Sequence, residues 1–404
     1  MQWYREYLPK LSRTISFGRC DGGMKILITG GTGIIGGAVA EAVVKGGHDV
    51  HIVCRSTPSG KWENIQAHYL TADWYDDARA ESIVSEGFDV IIDVLIFNAK
   101  QMKRSAEIAS GHCRQFIYIS TDSVYPHPGS NVSEDTDISA EDIKWKYGKG
   151  KYEAEQYLKA HGQGYGFFWT VIRPTITFGE TRIPVGFASR RNTYSLVERI
   201  ISHKPVIRFD DPSSRHALCH VSVFGSAVSG LLLNENASGK CYHISDDKAY
   251  TYDEIFACIE RITGTKCKYV FLPAEAIRSF TPFYEDMIYD KDPEFTLDNT
   301  RIRSVCPDVN YSCDLDQVMA VTLKALKDRN ASDSDYEMIS DLILLRNAGS
   351  LDEEARAYVD GFTAEYVNAL KGFEHDYAAQ QRKQRIKGLL SPAVRAVKRI
   401  TGKK

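Results

Sequence analysis

The chain has 404 residues, 43% hydrophobic and 25% charged, with a formal net charge of −3 at pH 7; this fits one large or two closely joined globular domains plus extensions and gives no general pull toward nucleic acid. Its nine cysteines are odd in number and contain no Cys-x-x-Cys pair, which argues against a disulfide frame or a zinc site and for reduced thiols in a cytoplasmic protein. No apolar run approaches the ~18 residues of a membrane span, and residues 1–23 lack the apolar core of a secretory leader.

In chain order, Trp3, Tyr4, Leu8, Leu11 and Ile15 fall on one helical face, which predicts a helix packed on the body within an N-terminal extension, 1–23. Residues 25–36 then read as a buried strand, a glycine turn and the start of a helix. Gly30, Gly33 and Gly36 form Gly-x-x-Gly-x-x-Gly: the first permits the bend, the second lets backbone approach a pyrophosphate, the third lets the helix pack on the strand. Thr32, Ile34 and Ile35 complete the turn, and the helix over 35–45 aims its N-terminal amides at the anion. The glycine pattern alone is weak; a second strand over 49–54 supplies its context.

That second strand ends at Cys54, where an acid would hold the ribose hydroxyls of NAD, and Arg55 follows. A guanidinium suits a 2′-phosphate, so NADP is expected in preference to NAD. A third strand over 67–71 ends before Asp73, placed to accept from the adenine amino group. A nearly continuous apolar fourth strand spans 89–96, a helix 99–110 and a fifth strand 115–121. This alternation predicts an α/β fold, a Rossmann-like doubly wound parallel sheet whose ligands sit at the carboxyl ends of the strands, where Thr121 and Asp122 lie. A helix over 142–155 puts Tyr147 and Lys151 four residues apart on one face, ahead of a strand over 168–174.

Four pieces, Gly30 to Gly36, Ser120-Thr121-Asp122-Ser123-Val124-Tyr125, Tyr147 to Lys151 and Arg173-Pro174, resemble the extended short-chain dehydrogenases/reductases, the branch of NAD(P)-dependent nucleotide-sugar epimerases and dehydratases. The resemblance covers about 24–325 and is most specific over the first 180 residues. It implies a dinucleotide-binding domain over 24–180 and a smaller substrate lobe over 181–330, with late strands returning to the sheet. It also implies a nucleotide-sugar substrate and a homodimer. Thr121, Tyr147 and Lys151 become the catalytic group, with Tyr147 as general base, its phenol lowered by the Lys151 ammonium together with the positive nicotinamide ring; Lys151 also holds the nicotinamide ribose. Pro174 lies beside the cofactor and Ser123 beside the substrate, and Asp122 is either catalytic or a turn residue. Sugar-nucleotide dehydratases place Glu directly after that Asp; Ser123 stands there, which favours epimerase or ketoreductase. Arg215 to Val221 resembles Arg-Asp-Tyr-x-His-Val, whose Arg binds nucleotide phosphate; His216 takes the Arg place here, with Arg215 one position early as the expected phosphate contact.

Beyond this, 330–335 reads as a polar linker, followed by helices over 336–347 and 351–370 in a C-terminal extension, 331–404. Residues 382–404 combine apolar positions at helical spacing with many Lys and Arg, a pattern for an anionic membrane surface, a partner or a solvated tail. No cluster has zinc spacing, so no metal is expected. Three functions compete: a nucleotide-sugar epimerase, an NADPH-dependent ketoreductase of a sugar nucleotide or another small carbonyl compound, and a non-catalytic NADP-holding regulatory or RNA-associated protein. The Tyr-x-x-x-Lys pair argues for an enzyme.

Overall fold

A computed structural model describes residues 23–401 except 127–128, 190, 210, 281–283 and 330–332; side chains from 384 onward are also outside the description. The expected N-terminal helical face and the apolar and basic pattern of most of the tail therefore lie outside the described residues.

Six strands come first: β1 (Lys25–Thr29), β2 (Asp49–Cys54), β3 (His68–Thr71), β4 (Val90–Asp93), β5 (Gln115–Ile119) and β6 (Phe168–Pro174). They are followed by β7 (Ile176–Phe178), β8 (Pro205–Arg208), β9 (Arg215–His220), β10 (Lys240–Ile244), β11 (Ala249–Thr251) and β12 (Lys268–Phe271). Seven of them form one parallel sheet in the order β10-β6-β5-β4-β1-β2-β3. The helices before and between the late strands are α1 (Ile34–Lys45), α2 (Asp77–Val84), α3 (Ala99–Ala109), α4 (Lys146–His161), α5 (Tyr194–Ile201), α6 (Val221–Gly230) and α7 (Tyr252–Thr263).

Alternate side chains of each strand serve opposite faces. Ile26, Ile28, Ile52 and Ile92 pack with Val39 of α1 and Phe224 of α6; Leu27, Val53, Ile91 and Phe116 pack with Ile83, Met102 and Leu158 of α2, α3 and α4. Burial on both faces explains why these strands are apolar runs. β1 lies between β2 and β4, so the strand order reverses there and leaves a crevice at their carboxyl ends.

The fourth strand is shorter than its apolar run. Buried Asp93 accepts from Thr29 Oγ1 at 2.6 Å, from Trp74 Nε1 at 3.1 Å and from the Leu95 amide at 2.9 Å, which turns the chain out of the sheet. The capping box expected at Thr251 is present, with reciprocal bonds to Glu254.

The extension differs from expectation. Asp333 is buried rather than part of a solvated linker, and its amide donates to Ser195 Oγ at 3.0 Å. The next helix, Ser334–Arg346, is tied to α5 by Arg199, 1% exposed, which donates to Glu337 and Asp341 at 2.7 Å each. The segment 351–370 is two helices, Glu353–Asp360 and the long Ala364–Thr401. Gly361 ends the first, and Thr363 Oγ1 restarts the chain by accepting from the Tyr366 amide at 3.2 Å.

Candidate active site

The glycine turn lies at the crevice. Gly30 has φ +65°, which only glycine adopts without strain, and its amide donates to the Val53 carbonyl at 3.1 Å. A Cβ on Gly36 would fall 2.4 Å from the Gly30 carbonyl oxygen, so glycine is what lets α1 approach the bend. A Cβ on Gly33 would meet only that same oxygen, at 3.5 Å, and otherwise point into open space in front of α1. This open cradle before a helix N-terminus fits a dinucleotide pyrophosphate. Half-buried Thr32 sits on the turn. Gly37 was missed in the sequence: its Cβ would come 2.0 Å from Trp62 of the turn Gly60–Asn64, so the indole packs directly on α1. Arg55 is exposed just past β2, and exposed Asp73 accepts from the Tyr75 amide at 3.1 Å.

Thr121 follows β5 and caps the turn Asp122–Val124. Its Oγ1 accepts from the Ser123 amide at 3.2 Å, lies 3.0 Å from Ser123 Oγ and 3.3 Å from Asp122 Oδ1. α4 carries Tyr147 and Lys151 against this turn. Two glycines interleaved with them make the approach: a Cβ would fall 2.0 Å from the Ser123 carbonyl oxygen at Gly148 and 2.4 Å from that of Phe97 at Gly150. Below, Glu155 of α4 takes both hydrogen bonds of the Arg173 fork, at 3.0 and 2.6 Å, and one from Ser120 Oγ at 2.6 Å. The pair is almost fully buried, and despite burial the guanidinium holds the Glu155 carboxyl below its usual range.

Lys151 is 2% exposed and its Nζ donates to the Ile119 carbonyl at 2.8 Å. Burial lowers its pKa to about 7, against the pull of Asp93 and Glu155. Burial and then the Asp290 carboxylate push the Tyr147 phenol up to about 12, while a hydrogen bond from Thr121 favours the phenolate. Burial, reinforced by Asp290, likewise raises Asp122 to about 7.

A cleft of about 400 Å³ joins the two halves: Ile34 and Ile35 line it at the glycine turn, Thr121 and Tyr147 at the hydroxyl cluster, with Pro174 and Arg182 between. Asp122, Ser123, Asp290 and Lys291 line it as well. Arg215 does not: it is exposed, donates to the Ala249 carbonyl at 2.6 Å and lines a separate depression with Asp246 and Glu294. Arg182 lines the cleft instead, held by the Thr177 carbonyl at 2.7 Å. Asp290 and Lys291 belong to no motif and carried no signal in the sequence. His216 packs on the Tyr252 ring, and His220 caps α6 through Ser222. At the opposite end of the sheet, Asp49, His51 and His68 gather across β2 and β3, both imidazoles within 3.2 Å of the one carboxylate.

The sequence matches the family described as NAD dependent epimerase/dehydratase over residues 26–245. This chain belongs to that family. The glycine turn, the hydroxyl cluster and α4 all lie inside the match; Asp290 and Lys291 lie outside it. Among curated relatives, the chloroplast stem-loop binding protein of 41 kDa b of Arabidopsis thaliana is 29% identical over 254 residues, covering 59% of this chain and 63% of that protein. This chain thus spans less than two thirds of that relative's length. YtcB of Bacillus subtilis, described as an uncharacterized UDP-glucose epimerase, is 24% identical over 278 residues, covering 60% and 83%. Among solved structures, UDP-glucuronic acid 4-epimerase of Bacillus cereus, in complex with UDP-glucuronic acid and NAD, superposes with a TM-score of 0.61 at 19% identity, covering 76% of this chain and 100% of that one. That similarity establishes the shared fold. No helix among the described residues is long and apolar enough to cross a membrane.

Proposed function

We propose that this family member oxidises and re-reduces a hydroxyl-bearing carbon of a nucleotide-activated sugar with bound NAD(P), as an epimerase passing through a keto sugar. The observation that carries the reading is one continuous cleft from the glycine turn at Ile34 and Ile35 to the Tyr147 phenol. A nicotinamide bound in this cleft supplies the hydride acceptor. Tyr147 takes the proton of the sugar hydroxyl, and Thr121 shares that hydrogen bond. A phenol held near 12 is neutral at pH 7, so Tyr147 becomes a base once the positive charge of an oxidised nicotinamide offsets burial and Asp290. Lys151 keeps N–H capacity beyond the bond to Ile119, and this serves the cofactor ribose. Asp122, with a pKa of about 7, retains a proton to offer a sugar oxygen, and Ser123 contacts the sugar. Arg55, exposed beyond β2 with no carboxylate at Cys54, supports NADP over NAD.

Incubation with a panel of UDP-, dTDP- and GDP-sugars tests this. An epimerase equilibrates one sugar without added cofactor, whereas a ketoreductase consumes NADPH. The RNA-associated reading takes its support from the likeness to the stem-loop binding protein; it predicts neither reaction and retention of a stem-loop RNA on a filter. Two assembly claims accompany the proposal. The homodimer is checked by light scattering. Contact of 382–404 with anionic membranes rests on the basic and apolar spacing of that segment, and vesicle co-sedimentation unchanged by its deletion rules it out.

A further inference from the structure

We propose that Asp49, His51 and His68 hold a divalent transition-metal ion of the zinc class, which clamps the edge strand β3 to β2. The site arises from strand register. β2 and β3 run parallel with His51 paired to His68, and Asp49 precedes His51 by two positions, so all three side chains stand on one face of the sheet. The two imidazole rings stack with centroids 4.6 Å apart. Both Nε2 atoms lie 3.2 Å from Asp49 Oδ1.

This spacing suits a shared ion. Ligand atoms about 2.0–2.2 Å from one ion, at angles between a right angle and the tetrahedral value, lie roughly 3.0–3.4 Å apart. The carboxylate oxygen meets both imidazole nitrogens at such a separation, and one ligand atom from each residue falls within 4.8 Å of the other two. Two imidazoles and one carboxylate favour zinc over magnesium or calcium, which take oxygen ligands. The His68 and Asp49 side chains are 67% and 45% exposed, so water completes the coordination from the solvent side. His51 is the fixed member, buried with the Phe88 ring edge-on at 5.3 Å between centroids.

The outer shell sets the strength. Coordination at Nε2 puts the His51 ring proton on Nδ1, which is buried with no hydrogen-bond partner. Metal-bound histidines ordinarily donate that proton, and lacking the acceptor costs roughly 10–100-fold in affinity. The ion is therefore exchangeable. Its effect falls on β3, four residues long at the end of the sheet and paired there to β2. The cluster lies at the amino ends of these strands, away from the cleft, so the ion steadies the sheet and takes no part in hydride transfer. The third ligand joins through register across strands, which is why no short metal spacing marks it in the sequence.

Untagged protein labelled with nitrogen-15 and titrated with zinc tests this. The His51 and His68 ring signals are expected to shift together and saturate, and magnesium to leave them unmoved. Asp49→Asn and His68→Ala alter exposed side chains, and each is expected to weaken zinc binding, read by calorimetry, roughly tenfold or more. Zinc is also expected to raise the melting temperature of the wild-type protein and to slow amide exchange in β3, and to do neither in the two variants. Unmoved ring signals, equal binding of magnesium, or wild-type zinc affinity in either variant overturns the site and leaves Asp49 as a carboxylate hydrogen-bonded to two imidazoles. Zinc binding that leaves β3 exchange unchanged overturns the clamp.

Discussion

Lys151 sits beside the Tyr147 ring, not at its hydroxyl: Nζ is 6.0 Å from the ring centroid and gives a hydrogen bond to the Ile119 carbonyl at 2.8 Å. Without cofactor the two residues are therefore neighbours that do not ionise one another. The lysine is held toward neutrality by burial, and the phenol is held protonated by burial and by Asp290.

Asp122 carries a pH signature. Its folded pKa is raised to about 7, so its contribution to stability is full below the ordinary carboxylate range and is lost as pH rises through 7. Asp122→Asn removes that loss. Its melting temperature relative to wild type is expected to improve between pH 5 and pH 8, as followed by calorimetry; a constant difference across that range contradicts the assignment.

Gly148 and Gly150 set the distance between α4 and the hydroxyl turn. Alanine at either position drives Cβ into a backbone carbonyl, at 2.0 or 2.4 Å, and the helix has to back away. Each substitution is expected to cost about 1–3 kcal/mol in denaturant unfolding and to lower activity beyond that loss, because Tyr147 moves with the helix. Substituting exposed Gly164, where a Cβ meets nothing within 4 Å, is the matched control.

The Arg173–Glu155 fork anchors the same helix from below. Replacing either by Ala leaves a buried charge alone, with an expected loss of about 3–5 kcal/mol. A double replacement by apolar residues of similar volume recovers much of that stability but leaves Ser120 without its acceptor. A double-mutant cycle reads the coupling directly; additive single effects would argue against a working pair.

These elements differ in how far the sequence disclosed them. The sheet and the glycine turn were legible because burial on both faces leaves long apolar runs and a sharp bend leaves glycine. Tyr147, Lys151 and Thr121 were legible as spacing. Gly148 and Gly150 were visible as letters, but their use depends on carbonyls of Ser123 and Phe97, brought in from other loops. Asp290 reaches Ser123 across 167 positions of chain, a separation over which local pattern carries no register. Arg215 shows the converse: a matching motif whose side chain faces a different depression. The fourth strand stopped early because buried Asp93 needed its hydrogen bonds, a demand that hydrophobicity alone does not reveal.

The extension is bound to the body through charge. Arg199→Ala strands Asp341 inside a contact that also receives the Tyr358 and Tyr366 hydroxyls at 3.0 and 2.6 Å. A loss of about 3–5 kcal/mol is expected, with protease sensitivity of 334–370 rising before the Rossmann core is cut. Unchanged cleavage would mean that apolar contacts hold the extension without the ion pair.

The most direct measurement is a single turnover: the protein, loaded with NAD or NADP, is mixed with a nucleotide sugar that it converts, and reduced nicotinamide is followed by its absorbance. The wild-type protein is expected to form the reduced ring, and Tyr147→Phe to bind both partners yet form it slower by roughly two decades or more. Reduction at the wild-type rate in Tyr147→Phe would contradict the account.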